Sequence, residues 1–374
     1  MKKSFLALAV VGATASGASA QSSVTLFGVV DMSVRYVDND EATWQLAQDG
    51  MSSSRLGFRG VEDLGGGLKA SFWLEGALGP DTGTGSSSFG SGNTTGPGAF
   101  MFRRRSTLSL SNQWGELRLG RDYTPTFWNI GVFDPFGVVG VGNAGNLYLG
   151  AELRSVSAAG DAFGTLVRAN NTVQYILPNG QFGPGLYGQF MVAAGENAAL
   201  NKYYGGRIGY AAGPFDVAAA CGWTAVDAAD TLSMTNWNLG GSWSFGAFGK
   251  VSAYYGQLEV DVPIGGQVDQ QNWYVGYVVP FGQWNFKASY GGVNQGGNPT
   301  ATSTFEGNDA TQWAVGFDYN LSKRTAFYGT VSSINNASPT GTRTGTAYTV
   351  SGTGSALSRG NSSTGGEVGI KHSF

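Results

Sequence analysis

The sequence predicts an all-β, 16-stranded antiparallel barrel that crosses a membrane, and three observations support this fold class. Apolar and polar residues alternate with a period of two in many segments, short turn-rich connections alternate with longer polar ones, and the chain ends inside a strand on an aromatic residue. Alternation of this kind suits a wall between lipid and water, and closure of the barrel leaves no strand edge exposed.

The final strand has the most regular pattern of faces. Val368, Ile370, His372 and Phe374 fall on one face, and glycine or polar residues fall on the other. Four further segments separate in the same way. Their apolar sets are Trp313, Val315, Phe317 and Tyr319; Trp284, Phe286, Ala288 and Tyr290; Leu68, Ala70, Phe72 and Leu74; and Trp237, Leu239, Gly241, Trp243 and Phe245. Segment 325–334 alternates poorly, and the pattern assigns it no faces.

The connections supply the strand count. Seven are short and rich in turn formers, at 62–67, 112–115, 178–184, 212–214, 245–249, 280–282 and 320–324. Eight are mostly longer and polar, near 38–52, 76–101, 122–167, 195–202, 227–233, 259–269, 294–310 and 335–364. Because the 15 connections join 16 strands, we expect both termini on the side of the short turns.

The N-terminus predicts export. Lys2 and Lys3 precede an apolar stretch, and small residues lead to Ala18-Ser19-Ala20, the pattern of a signal peptide over residues 1–20. Residues 21–374 then form the barrel, and loss of two lysines changes the net charge from -3 to -5. The 13% aromatic residues argue against disorder, and the 61 glycines suit many strands joined by glycine-rich turns. Cys221 is the only cysteine, which excludes an intramolecular disulfide, and we expect it to be a packed, inert thiol.

Several segments together resemble one known family. They are V-T-L-F-G-V-V-D (24–31), S-R-L-G-F-R-G-V-E-D-L-G-G-G-L-K-A (54–70), F-W-L-E-G (72–76), F-R-R-R-S-T-L-S-L-S (102–111), W-G-E-L-R-L-G-R-D (114–122), R-A-N-N-T-V-Q-Y (168–175), N-L-S-K-R-T-A (320–326) and the last seven residues. The set resembles the general trimeric porins of Gram-negative outer membranes, within them the anion-selective branch of the β-proteobacteria.

The resemblance implies a homotrimer in the outer membrane that contacts lipid and lipopolysaccharide and passes small anions and hydrophilic solutes without a cofactor or metal. It also implies that the third loop, 122–167, folds into the pore. The family's constriction arginines match Arg55, Arg104 and Arg168, its facing carboxylates match Glu75 and Asp134, and its C-terminal assembly signal matches Phe374. Secondary lumen candidates are Arg103, Arg105, Arg59, Arg118 and Arg121.

Strict alternation agrees with the resemblance for two of the three arginines. Arg55 and Arg168 share faces with small or polar residues, whereas Arg104 falls on the face of Leu108 and Leu110. An arginine that faces lipid at the midplane costs about 2–4 kcal/mol. We therefore expect a bulge near 103–105 that turns Arg104 inward; without it, Arg103 and Arg105 would be the constriction ligands.

Other functions find less support. A substrate-specific channel, for sugars for example, needs an aromatic track, and Trp73 and Tyr274 are its lumen candidates. A barrel enzyme with a Ser-His arrangement needs a histidine in the lumen, but the only histidine, His372, is predicted to face outward. Glu75 and Asp134 could form an acid/base pair, yet no nucleophile accompanies them. Residues 38–41 could hold a divalent cation, although a solvated loop is favoured. The arginines at 103–105 resemble a nucleic-acid patch only outside their barrel context, so no nucleic-acid partner is expected.

Overall fold

The computed structural model describes residues 23–85, 100–149, 162–178, 185–195, 200–337, 347–350, 357–358 and 360–374. Within them, 16 antiparallel barrel strands follow one another in chain order. They are β1 (Ser23–Asn39), β2 (Glu41–Gln48 and Arg55–Gly65), β3 (Leu68–Gly79), β4 (Arg105–Asn112), β5 (Gly115–Tyr123), β6 (Arg168–Ile176), β7 (Leu186–Ala193), β8 (Tyr203–Ala212), β9 (Phe215–Ala225), β10 (Ser233–Ser244), β11 (Lys250–Asp261), β12 (Gln267–Phe281), β13 (Trp284–Gly297), β14 (Ala310–Asn320), β15 (Thr325–Asn336) and β16 (Ser362–Ser373). The predicted fold class is confirmed. The predicted signal peptide lies outside the described residues.

The barrel closes through its first and last strands. β1 pairs with β16 from Val29–Ser373 to Asp38–Thr364. The terminal Phe374 completes the ladder, since its amide donates to the Gly28 carbonyl (3.1 Å) and its carbonyl accepts from the Gly28 amide (3.0 Å). Because the last residue itself is paired, the closure leaves no open edge at the C-terminus.

Strand β2 has two segments, which corrects the predicted connection at 38–52. β1 and β2 form a tight hairpin around Asp40, and only residues 49–54 leave the sheet. The Asp31 carboxylate holds this excursion, because it accepts the amides of Met51 (2.9 Å) and Ser52 (2.7 Å). The Tyr328 hydroxyl, from β15, donates to the other oxygen of Asp31. A buried hydrogen-bond network therefore replaces the strand pairing that residues 49–54 lose.

Exposure agrees with the predicted outward faces of β10, β13, β14 and β16, whereas Ala70, Phe72 and Leu74 of β3 are only partly exposed. In β14, for example, Val315 is 50% exposed and its neighbour Ala314 is fully buried. The unassigned strand β15 follows the same rule, with Phe327 and Val331 outward and Tyr328 inward. Its alternation is poor because its inner positions contact folded segments inside the barrel and are therefore apolar in part. Cys221 lies on the outward face of β9 and is exposed. The prediction of a packed thiol is therefore wrong.

Two helices of the described residues lie between β5 and β6, namely α1 (Pro125–Phe133) and α2 (Gly145–Tyr148). A 3₁₀ turn, Ala162–Leu166, leads into β6. Among the described residues, no helix has the length and apolar character that would let it cross a membrane.

Candidate functional site

The connection between β5 and β6 folds into the barrel, as predicted. Helix α1 begins at Pro125, a favourable first position because proline lacks an amide hydrogen. The helix packs on the inner face of β8, β9 and β10. Ile130 and Phe133 are almost fully buried there. Gly240 makes this contact possible, because a Cβ at that position would lie 2.2 Å from the Phe133 ring.

Polar contacts fix the register of α1. The Asn129 amide group donates to the Ala218 carbonyl (3.1 Å) and to Asn238 Oδ1 (2.8 Å), and its oxygen accepts from Arg207 Nε (2.8 Å). The Tyr274 hydroxyl donates to the Ile130 carbonyl (3.0 Å). Asn129 is fully buried, so each of these bonds is made in a place that water does not reach.

The next turn of the loop is held by Asp134. Its carboxylate accepts the amides of Phe136 (3.0 Å), Val138 (2.8 Å) and Ala144 (3.0 Å). The predicted role of Asp134 as a carboxylate facing the arginines finds no contact of that kind among the described residues. The geometry gives this side chain a structural task, because three backbone donors use its two oxygens.

The loop then reaches the far side of the barrel. The Val141 amide donates to Glu367 Oε1 (2.9 Å), and Glu367 also pairs with Arg35 (2.7 Å). Gln312 donates to the carbonyls of Gly142 and Asn143, and Gln270 donates to that of Tyr148. We call the inner faces of β8–β16 the covered wall, because the loop lies against them.

The opposite inner faces, of β2–β6, form the open wall. Glu75 lies at its centre and accepts from Arg104 Nε (2.6 Å) and from Trp73 Nε1 (3.1 Å). Arg55 Nε approaches the same carboxylate at 4.0 Å, and its NH1 group donates to the Ser53 carbonyl. Two guanidinium groups from different parts of the chain thus meet at one carboxylate.

Tyr123 joins the third arginine to this cluster. Its hydroxyl accepts from Arg104 (3.0 Å) and from Arg168 (2.7 Å), and the Arg168 guanidinium lies 4.3 Å from the centre of its ring. The structure therefore brings together Arg55, Arg104, Arg168 and Glu75 of the predicted constriction. Asp134 is not part of the group.

The inward direction of Arg104 has a local cause. The pairing of β3 with β4 begins at Glu75–Arg105, so Arg104 precedes the regular ladder, although its amide still donates to the Glu75 carbonyl (3.0 Å). Arg104 is 7% exposed. Strict alternation does not apply in front of the ladder, which lets Arg104 and Arg105 both make contacts within the open wall. The irregularity lies at the expected residues, 103–105, immediately before the regular part of β4.

Three of the five secondary arginines contact aromatic rings or carboxylates of the open wall, and Arg103 and Arg121 form a second group. Arg105 lies over the Trp73 ring (4.6 Å) and near Asp122 (3.5 Å), and Arg59 lies over the same ring (5.2 Å). Arg118 pairs with Glu116 (2.8 Å) and Asp122 (2.7 Å). Arg121 donates to the carbonyl of Arg103, whose own side chain donates to the Met101 sulfur. These contacts of Arg103 and Arg121 lie beside the central cluster around Glu75, not within it.

A cavity of about 400 Å³ separates the open wall from the loop. Arg104, Tyr123 and Arg168 line one side, and Trp128 of α1 lines the other. Asp49, from the excursion in β2, also lines it. Sequence reasoning missed Tyr123, Trp128 and Asp49. The signal for Tyr123 was hidden by a register shift between β5 and β6 near Gly120, which changes the expected faces.

Comparison with known proteins agrees with this architecture. A family model described as Gram-negative porin matches residues 7–339. The chain belongs to the Gram-negative porin family. Outer membrane porin protein 32 of Delftia acidovorans is 38% identical over 387 residues, which cover 100% of both chains. Because the family consists of outer-membrane proteins of Gram-negative bacteria, the porin resides in the outer membrane.

Two solved structures resemble the porin over nearly all of its length. The anion-selective porin from Comamonas acidovorans has a TM-score of 0.77 and 34% identity, and the match covers 95% of this chain and 100% of the other. OmpT of Vibrio cholerae has a TM-score of 0.65 and 14% identity, with 96% and 100% covered. At that identity the second likeness concerns the fold alone.

The rival interpretations can now be compared with the geometry of the porin. His372 is exposed on the outward side of β16, next to the Thr325 hydroxyl (2.9 Å), so it takes no part in a lumen site. Tyr274 is buried under α1 and cannot form an aromatic track with Trp73. Residues 38–41 lie at the tip of the β1–β2 hairpin, with Asp40 as its turn residue, and the described residues contain no cluster of metal-binding side chains. The porin family and fold indicate a channel.

Proposed function

We propose that this porin is a general diffusion channel for small hydrophilic solutes, that it prefers anions, and that it has no enzymatic activity. One observation supports the proposal most directly: on the wall that the loop leaves open, Arg55 and Arg104 meet at the Glu75 carboxylate, and Arg168 joins them through the Tyr123 hydroxyl. The excess of positive charge lies beside the cavity. The anion-selective porin from Comamonas acidovorans, at 34% identity, supports the same preference.

The mechanism follows from the energy of hydration. An anion that enters the narrow part of the lumen loses some of its water, and fixed guanidinium groups offset that loss. A pair of unit charges at 4 Å is worth about 1 kcal/mol in water and about 4 kcal/mol at an effective dielectric constant of 20. Energies of this size favour one sign of charge without trapping the ion. Because charges are screened beyond about 8 Å at physiological salt, the local cluster matters more than the net charge of the chain.

The decisive experiment measures ion selectivity. The porin is refolded, inserted into planar bilayers, and studied under a gradient of KCl. We expect stable conductance steps and a reversal potential that favours chloride over potassium. Arg55→Glu should lower the chloride preference, because Arg55 is partly exposed to the lumen and the change inverts one charge. Arg168→Gln should lower it to a smaller extent, because it removes one charge.

A matched control separates the local charge from the net charge. Lys323→Glu makes the same change of sign in the exposed turn after β14, far along the chain from the cluster. It should leave the reversal potential unchanged. Unaltered selectivity in both arginine variants, with normal folding by heat-modified gel mobility, would remove these residues from the proposed filter.

We also propose that residues 1–20 are cleaved, that the porin assembles as a homotrimer, and that its outer surface contacts lipid and lipopolysaccharide. The apolar residues of the outward faces support contact with lipid, since many large ones are exposed there. Mass spectrometry of the mature protein tests the cleavage, and native gels with and without heating test the trimer. A mature mass that includes residues 1–20, or a single monomer band before heating, would contradict these proposals.

A further inference from the structure

The cavity beside the arginine cluster has two chemically different sides. Arg104 and Arg168 supply charge from the open wall, and α1 supplies Trp128 and Val132 from the loop. Trp128 is 45% exposed and Val132 is 36% exposed, although both lie within the barrel. An exposed apolar patch with polar residues at its rim is typical of a ligand-binding groove. The opposite face of α1 is fully buried, so the docking of the helix does not require Trp128.

The aromatic side of the cavity is continuous with the charged side. The Trp128 ring lies 5.6 Å from the Tyr123 ring, which stacks on Phe127 at 5.2 Å. The same Tyr123 accepts hydrogen bonds from both arginines. A carboxylate placed at the guanidinium groups would therefore have three aromatic side chains beside whatever body it carries. Guanidinium groups match carboxylates in geometry as well as in charge.

We propose that this cavity is a transient binding site for small monocarboxylates with an aromatic or other apolar body, of which benzoate is the simplest aromatic example. The carboxylate contacts Arg104 and Arg168, and the ring contacts Trp128. The volume of about 400 Å³ lies within the usual range of small-molecule pockets, about 300–1,000 Å³. The inference rests on the proposed function and adds a substrate class to it.

The site must release its ligand as readily as it binds it, because conduction requires weak binding. One aromatic contact satisfies this condition, since such contacts change affinity by about 2- to 12-fold. We therefore expect benzoate to occupy the cavity at lower concentration than acetate, which has the same charge and no ring. Occupancy should appear as a reduction of the chloride current.

The experiment measures the concentration of sodium benzoate, and separately of sodium acetate, that halves the chloride current through single channels. In the unmodified porin, benzoate should act at a concentration about 2- to 12-fold lower than acetate. Trp128→Ala should remove that difference, and Trp128→Phe should restore part of it. Arg168→Gln should raise the half-blocking concentration of both carboxylates, because both use the guanidinium group. Each variant is compared with its own current in the absence of carboxylate.

Trp114→Ala is the matched control, because Trp114 is an exposed tryptophan in the turn between β4 and β5 and does not line the cavity. It should leave the ratio of benzoate to acetate unchanged. Equal half-blocking concentrations for benzoate and acetate in the unmodified porin, or an unchanged ratio in folded Trp128→Ala, would overturn the inference. Loss of chloride preference in the KCl gradient would instead overturn the proposed function, so the two failures are distinguishable.

Discussion

The open wall and the covered wall of this barrel use different polar chemistry. The covered wall presents mainly neutral side chains to the loop, and they are buried: Asn236, Asn238, Gln270, Asn272, Gln295 and Gln312. The open wall presents arginines and carboxylates: Arg55, Arg59, Arg104, Arg105, Arg118, Arg168, Glu75 and Asp122. An amide can both donate and accept, and its burial costs far less than that of a charge. The difference teaches that neutral side chains make most of the contacts that hold the loop, whereas the charged side chains of the open wall form a cluster beside the cavity.

Several charged groups on or beside the covered wall are paired or hydrogen-bonded. Glu367 and Arg35 form a buried pair at 2.7 Å, and Lys287 pairs with Asp318 at 2.6 Å. Arg207 donates to Asn129 and to the Tyr187 hydroxyl. These groups attach or support the loop. On the open wall, by contrast, three guanidinium groups share Glu75 and Tyr123.

The largest effect should follow from Asn129→Ala, which removes the attachment of α1 to the covered wall. The change leaves Arg207 Nε, Asn238 and the Ala218 carbonyl without their present partner. Each buried group that loses a hydrogen bond costs about 1–3 kcal/mol. We expect the docked loop to lose about 3 kcal/mol, and single-channel conductance to rise and fluctuate as the loop leaves the wall.

Val132→Ala is the control on the same helix, because Val132 faces the cavity and is not buried in the wall. Its current should be as steady as that of the unmodified porin. If Asn129→Ala conducts with the same step size and noise as Val132→Ala, the buried amide is not what holds the loop.

A smaller effect should follow from Gly120→Ala in β5, which shapes the open wall. Gly120 has a φ of 122°, and a Cβ there would lie 2.1 Å from the Ser106 carbonyl oxygen. Strain of this kind costs about 1–3 kcal/mol. We expect a lower temperature of heat modification on gels and a weaker chloride preference, because the shifted strand moves Tyr123 away from the arginines.

Gly241→Ala provides the comparison for Gly120→Ala. A Cβ at position 241 would lie 3.4 Å from its nearest neighbour, the Asp216 carbonyl oxygen, and the φ of Gly241 is outside the left-handed region. The substitution should therefore leave gel mobility and selectivity unchanged. Equal behaviour of the two variants would show that the bend at Gly120 has no special role.

The regular strands could be predicted from the sequence, whereas the excursion within β2 could not. Alternation placed β13, β14 and β16 and their outward faces, since lipid on one side and water on the other impose a period of two. It could not reveal the excursion at 49–54, because its hydrogen bonds go to Asp31 and, through Asp31, to Tyr328, which are distant in the chain. Local pattern carries no information about such partners.

The site was predictable to the extent that it obeys strand parity or the family resemblance. Arg55 and Arg168 follow from both, whereas Arg104 follows only from the resemblance, because it precedes the regular ladder of β4. Tyr123 was missed for a related reason, since the register shift near Gly120 changes the face of the residues that follow. Asp134 resembled a pore carboxylate in sequence, but its three backbone donors are apparent only from the folded loop.

The same substitution, glutamate to glutamine, can be made on each wall, because each wall has a glutamate paired with an arginine. Glu75→Gln removes a negative charge next to the cavity, and we expect the ratio of chloride to potassium permeability to rise about 5-fold, equivalent to about 1 kcal/mol. Glu367→Gln removes a charge beneath the loop, where it leaves Arg35 without its carboxylate. That variant should lose stability to heat in gel assays with little change in selectivity. A similar shift in reversal potential for both would mean that the two walls do not differ in this way.

The smallest effect concerns the hairpin turn between β1 and β2, outside both walls. Hydrogen bonds from Ser358, whose amide lies at 2.7 Å, and from Asn361 (2.6 Å) lower the pKa of Asp40 below its usual value of 3.8. The contact therefore adds stability above the usual pKa, and this contribution is lost as the pH falls through the lowered pKa of the folded state. A carboxyl ¹³C titration in detergent micelles should give a midpoint for Asp40 below 3.8. Asn361→Ala should move that midpoint upward with no change in conductance, and a midpoint at or above the usual value in the unmodified porin would contradict the contact.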